Sequence, residues 1–171
     1  TLDTIVDEGQ GELYEKHAEE LCAAAERAGR WRYLFETQRA LCEVLAIKAD
    51  LGIKLRGAYQ SGDNSALAAA YEKLRQLPER IEAFYELLRA QWEKENRPNG
   101  FDVQDIRIGA LKQRVQVAMK KVGDYLSGKA ESVPELGEKL LCFMGNGEHF
   151  EKDYDQCEFR WRRMTTVNVN E

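Results

Sequence analysis

From residue 12 to residue 126 the apolar positions recur at intervals of three, four and seven, the pattern of helices that each bury one stripe. Leu13, His17, Leu21, Ala24, Ala25 and Ala28 mark a first helix over 12–28, with Gly29 as its stop. His17 falls on or near the packed side, which suits a hydrogen-bonded core or boundary histidine better than a catalytic base. A second helix starts at Arg30 or Trp31 and runs toward Tyr59, with Leu34, Leu41, Val44, Leu45, Lys48, Leu51 and Leu55 on its stripe. Trp31, Phe35, Cys42 and Ile47 widen that stripe enough to place this helix centrally, against more than one neighbour. Ser61-Gly62-Asp63-Asn64 then supplies a turn and a cap.

A third helix follows over 65–76. At Pro78 it either kinks or gives way to a separate helix over 79–95, whose stripe is Ile81, Phe84, Tyr85, Leu88 and Trp92. A further helix covers 103–126, and Gly109 inside it suggests the close approach of another backbone. Pro134 opens a shorter helical piece through Leu141. Over the last thirty or so residues the period changes to two: Cys157, Phe159 and Trp161 alternate with charged residues, and Val167 and Val169 follow. The expected architecture is mainly α, a four- to five-helix bundle with a small C-terminal β element. Its parts are a linker or edge strand at 1–11, the bundle at 12–142, and a turn and β-strand tail at 143–171.

Charge and composition narrow the functions. The chain has 171 residues, with 25 Lys and Arg against 30 Asp and Glu. A mildly acidic, mixed surface argues against tracking phosphates, so nucleic acid is not expected as a partner. No apolar run approaches the ~20 residues that span a bilayer, and no signal-peptide pattern opens the chain. The expectation is a soluble, cytoplasmic protein without a membrane partner. Cysteines 22, 42, 142 and 157 form no C-x-x-C pair and read as buried free thiols. With His17 or His149 they supply no metal-ligand spacing, so no metal is expected. The start at Thr1, leading soon into helical pattern, suggests a fragment of a longer protein.

The most specified stretch joins the third and fourth helical regions: Trp92-Glu-Lys-Glu-Asn-Arg-Pro-Asn-Gly-Phe-Asp-Val-Gln-Asp-Ile-Arg-Ile-Gly-Ala-Leu111. Arg97-Pro98 turns the chain away from helix, Asn99-Gly100 is a turn dipeptide, and Asp102 with Asp105 resembles a carboxylate capping box. Arg107 stands out. With Ile106 at zero and about 100° per residue, Leu111, Val115, Ala118, Val122 and Tyr125 fall between about 100° and 180°, and Arg107 joins them at about 100°. The polar face carries Asp105, Lys112, Gln113, Gln116 and Lys120. A guanidinium on the apolar face must pair, snorkel or meet a ligand. Either a carboxylate or loop carbonyls near Asn96 hold it structurally, or it contacts a ligand or partner. Trp92, beside this polar loop, is either core or a platform for a sugar.

Independent chemistry is missing. There is no Gly-rich phosphate loop, no nucleophile elbow and no H-E-x-x-H, and only two histidines are present. Asp102 and Asp105 could form a carboxylate dyad, but a helix start explains both more simply.

The segment Asn96-Arg97-Pro98-Asn99-Gly100-Phe101-Asp102-Val103-Gln104-Asp105-Ile106-Arg107-Ile108-Gly109-Ala110-Leu111, with Trp92 before it, resembles a stretch in the C-terminal helical domain of bacterial exo-β-N-acetylhexosaminidases of glycoside hydrolase family 20. Those read Asn-x-Pro-x-Gly-Phe followed by Asp-x-Arg-x-Gly; Ala110 here stands where a second glycine is expected. The resemblance extends over roughly residues 12–126 and to the closing 161–169 segment. It implies an upstream (β/α)8 barrel with an Asp-Glu pair, attack by the substrate's own 2-acetamido group, and no metal or organic cofactor. The chain would then be an accessory domain, silent alone, that packs on the barrel of the same polypeptide and helps form a homodimer, meeting glycan only through the parent enzyme. By position Arg107, Asn96, Arg97, Asp105 and Trp92 become the candidates for contact with substrate or barrel. The competing reading is a free-standing helical protein-interaction module.

Overall fold

The computed structural model describes residues 9–138, and all of its regular elements are helical. α1 spans Gln10–Arg27, and a 3₁₀ turn over Gly29–Trp31 leads into α2, Arg32–Ser61. α3 is Asn64–Glu95, α4 Asp102–Leu126 and α5 the single turn Pro134–Gly137. Each long helix packs on the one before it in sequence, and α5 returns to α2. The fold is thus mainly α, as expected. The β element expected at the C-terminus and the helical reading through Leu141 extend beyond the described residues, as do Cys142 and Cys157. Among the described residues no helix is long and apolar enough to cross a membrane.

The core runs along α2, α3 and α4. Val44, Leu51, Leu55 and Ala58 meet Leu67, Ala70, Leu74, Leu77 and Ile81, and α4 adds Ile108, Val115 and Val122 at intervals of seven. The widened stripe of α2 is used on two sides, by α1 and by α3. Between α2 and α3 the link is tight. Gly62, at φ 72°, ends α2 with its N–H on the Ala58 and Tyr59 carbonyls, and the Asp63 carboxylate accepts from the Ala66 N–H at 2.9 Å. A left-handed glycine followed by an acidic N-cap satisfies donors and carbonyls that both helix ends leave open.

α3 is one helix of 32 residues that passes through Pro78 without a break. Proline lacks the N–H that would reach back one turn, which favours a break at that point. Here Leu74, Leu77 and Ile81 are all buried around it, with Ile81 1% exposed, and their packing on both sides of Pro78 outweighs the missing bond.

Two glycines mark close helix crossings. A methyl on Gly11 would stand 2.5 Å from the Ala46 carbonyl oxygen, so α1 rests its first turn directly on the backbone of α2. On Gly123 it would meet the Tyr71 hydroxyl at 2.6 Å. Gly109, where the sequence suggests such an approach, has nothing within 4 Å. Beneath the start of α1, buried Asp50 accepts from the Gly9 N–H at 3.3 Å and pairs with Lys54 at 2.8 Å. Burial by itself would raise this carboxyl, but the Lys54 ammonium and the Gly9 amide prevail and hold it below the ordinary carboxylate range.

The far end of α2 fixes the residues after α4. Arg56 donates to the carbonyls of Glu135 (2.9 Å), Leu136 (3.2 Å) and Glu138 (2.7 Å), Gln60 adds a bond to Leu136 (3.1 Å), and Val133 N–H donates to the Tyr59 hydroxyl (3.0 Å). One guanidinium thereby satisfies carbonyls that a single-turn helix cannot pair internally.

Several surface details differ from expectation. His17 is exposed and bonds Glu20, 3.2 Å away, on its own helix rather than the packed side. Cys22 is exposed, while Cys42 is half-buried with its thiol pushed up by burial. Trp31 lies in the 3₁₀ turn, 46% exposed under the Arg30 guanidinium, and is no part of the α2 stripe.

Candidate functional site

The α3–α4 connection is built around aromatic rings. α3 ends at Glu95, and Asn96 closes it with its own N–H on the Trp92 carbonyl at 2.8 Å before turning extended. Trp92 then reaches along the loop, and its indole N–H donates to the Arg97 carbonyl at 2.9 Å. Gly100 takes φ 100° beneath the Trp92 ring, in the left-handed region that the Asn-Gly turn requires. Phe101 follows as a buried wedge, its ring 5.6 Å from that of Trp92 and 5.9 Å from that of Tyr85.

Polar groups line up beside these rings. The Tyr85 hydroxyl donates to Asp105 Oδ1 at 2.8 Å, and Arg89 donates to the Tyr85 oxygen at 3.0 Å and to Glu93 at 3.2 Å. The Arg89 guanidinium also lies 6.0 Å from the centre of the Phe101 ring. The bond to Asp105 raises the Tyr85 phenol above its ordinary range, with burial adding to it and Arg89 opposing it. Together Arg89, Trp92, Glu93, Asn99, Phe101 and Asp105 border an open cleft of ≈ 370 Å³. Aromatic walls with a few fixed polar groups suit binding. Among the described residues no group of three or more His, Cys, Asp or Glu is placed to hold a metal ion.

Of the five residues singled out from the sequence, Trp92 and Asp105 line this cleft. Trp92 is half-buried. Asn96 and Arg97 are exposed on the loop, and Arg97 contributes its carbonyl to the Trp92 bond. Arg107 is exposed and does not line the cleft. Its expected place on the apolar face is corrected by the observed stripe, which includes Ile108, Met119 and Leu126. On the same wheel these fall near 200°, 220° and 200° and move the stripe's centre from about 140° to about 165°, leaving Arg107 at its edge, about 65° away.

The capping reading changes as well. The helix already includes Asp102, its cap position is Phe101, and no side-chain cap bond forms. Both carboxylates lie in the first turn, where they still complement the helix dipole, and Asp105 is held by Tyr85 rather than by backbone. From the sequence Tyr85 belongs only to the buried stripe of its helix, and neither Arg89 nor Phe101 is singled out for a site. The signal was present: Tyr85, Arg89 and Glu93 repeat at intervals of four, so one face of α3 carries the whole polar row.

Compared with known protein families, residues 1–165 match the model of the Glycoside Hydrolase 20C C-terminal domain. A comparison with curated proteins finds no match.

Proposed function

The chain belongs to the Glycoside Hydrolase 20C C-terminal domain family, and from that premise we propose that it is the helical accessory domain of a cytoplasmic β-N-acetylhexosaminidase. The family match over residues 1–165 carries this reading. In it, a catalytic (β/α)8 barrel of the same polypeptide removes terminal N-acetylhexosamine from glycans. The helical domain supports the barrel's active-site loops and contributes to a homodimer.

The α3–α4 loop is the part of the domain turned to that task. Asn96, Arg97 and Arg107 present exposed polar groups around it, and Trp92 and Asp105 hold its form from the cleft side. Arginine beside half-buried aromatics is a composition favoured where one protein surface meets another. The reading is tested with an enzyme that carries both domains, assayed on a chromogenic N-acetylglucosaminide. Arg97→Ala and Arg107→Ala are expected to lower kcat/KM at least about tenfold, the loss of one charge-assisted contact, with Glu12→Ala, an exposed change in the first turn of α1, as an unaffected control. Unchanged kinetics in both arginine variants would refute the loop's role. Hydrolysis by the isolated 171-residue chain would refute its catalytic silence.

A further inference from the structure

The open cleft beside the α3–α4 loop carries more polar groups than the form of the loop requires. Glu93, Asp102 and Asp105 bring three carboxylates to its border, Arg89 a guanidinium, Asn99 an amide and Trp92 a half-buried indole. We infer that this cleft binds a neutral sugar ring of a glycan, at a site of the helical domain itself. The glycan as the source of that ring rests on the function proposed above, whereas the binding chemistry rests on the cleft alone.

The polar groups select that ligand. An ionised carboxylate only accepts hydrogen bonds, so three of them against one guanidinium favour a ligand rich in donors. Tyr85 occupies one oxygen of Asp105, and Arg89 one oxygen of Glu93. The side chains of Asp102 and Asn99 make no hydrogen bond or ion pair among the described residues. Sugar hydroxyls donate as well as accept, which suits carboxylates with capacity left over. An anion offers acceptors alone and is repelled by the excess of negative charge. An organic cation would stand beside a guanidinium that already lies 6.0 Å from the centre of the Phe101 ring. A metal ion finds no suitable group of ligands among the described residues.

The cleft is also set in advance. Trp92 is anchored by its indole N–H on the Arg97 carbonyl at 2.9 Å, with the Phe101 ring 5.6 Å away. An aromatic side chain fixed at a cleft wall offers apolar surface to the C–H groups of a sugar ring, while the neighbouring carboxylates take its hydroxyls. Arg89 is held by Tyr85 at 3.0 Å and Glu93 at 3.2 Å, so little ordering remains to be done on binding. The volume of ≈ 370 Å³ is at the small end of ligand sites, which fits a single ring with its waters.

The test is a nuclear magnetic resonance titration of the 171-residue chain that follows the indole N–H signal of Trp92. Methyl N-acetyl-β-glucosaminide is expected to shift that signal saturably, with a Kd of about 1 mM or below. Inorganic phosphate and tetramethylammonium, the anionic and cationic probes, should leave it in place. Asp102→Ala, an exposed change that breaks no side-chain contact among the described residues, should weaken sugar binding about threefold to tenfold, and Glu93→Gln should do the same. Trp92→Ala should abolish binding, and the other two variants carry the test if its loop loses its form. A sugar that leaves the signal unmoved overturns the inference. So does binding that both carboxylate variants leave intact, and so does a larger response to phosphate or tetramethylammonium than to sugar. Failure here, with the arginine variants still impaired in the two-domain enzyme, removes the sugar site and leaves the proposed function standing. Sugar binding by the chain, with no hydrolysis by the two-domain enzyme, does the reverse.

Discussion

Gly11→Ala puts the α1–α2 contact to a quantitative test. The added methyl would sit 2.5 Å from the Ala46 carbonyl oxygen and 3.4 Å from Asp50 Oδ1. Comfortable packing begins near ~3.5 Å, so the two helices must part by about 1 Å at their first crossing. Overpacking of this kind costs about 1–3 kcal/mol, and the better helix propensity of alanine returns at most ~1 kcal/mol. The obstacle is backbone and cannot swing aside. A net loss of about 1–2 kcal/mol follows, and the melting temperature should fall by roughly 2–8 °C in a chain of this size. Two other glycines calibrate the result. Gly109 has open space around it, so Gly109→Ala should raise stability by about 0.5–1 kcal/mol. At Gly123 the neighbour is the hydroxyl end of Tyr71, a side chain that can turn, so Gly123→Ala should fall between the two. Urea unfolding followed by far-ultraviolet circular dichroism reads all three. A Gly11→Ala chain as stable as the unmodified one, or a Gly109→Ala chain as damaged as Gly11→Ala, would refute the argument.

Asp50 sets an acid limb on stability. Its folded carboxyl is held below the ordinary range, so its contribution is complete above the unfolded value of about 3.9 and disappears as pH falls through the lower folded value. Asp50→Asn should therefore cost about 1–2 kcal/mol near neutrality and progressively less in acid; a gap that stays constant down the acid titration contradicts this. Arg56→Ala removes three bonds to the carbonyls of Glu135, Leu136 and Glu138, and hydrogen exchange at residues 136–138 should quicken by about an order of magnitude while the α3 core amides stay protected. Equal acceleration throughout would show that the clamp is not local. Phe101→Ala empties the wedge between Trp92 and Tyr85, with an expected loss of about 3 kcal/mol and a weakened near-ultraviolet signal from Trp92. A change below ~1 kcal/mol would mean that the loop holds its form without the ring.

Most helix boundaries were legible because local chemistry decides them: Gly62-Asp63 ends one helix and caps the next, and Pro98-Asn99-Gly100 interrupts another. The failures share a cause, in that each depended on a neighbour that the sequence does not name. Pro78 is a breaker by itself, but the buried residues on both sides of it keep α3 whole. Gly109 and Gly123 occupy the same helix, yet only Gly123 faces Tyr71. Asp105 reads as a cap until Tyr85 claims it from α3. Arg107 reads as part of the apolar face because a wheel without Ile108, Met119 and Leu126 centres the stripe about 25° too close to it. The aromatic and arginine row at Tyr85, Arg89 and Trp92 was the half of the site most open to sequence reasoning, since spacing by fours or near it puts those residues on one side of one helix.

Because every long helix rests on its predecessor, the order of assembly can follow the order of synthesis. α2 finds α1 already made, α3 finds α2, and α4 finds α3, so each pairing closes only a short loop, and relative contact order, the usual brake on folding rate, is low. The longest-range event comes last, when residues 133–138 come back to Tyr59, Arg56 and Gln60. That return acts as a latch: it ties the youngest part of the described chain to a helix completed some seventy residues earlier, and it turns a row of helices into a closed one.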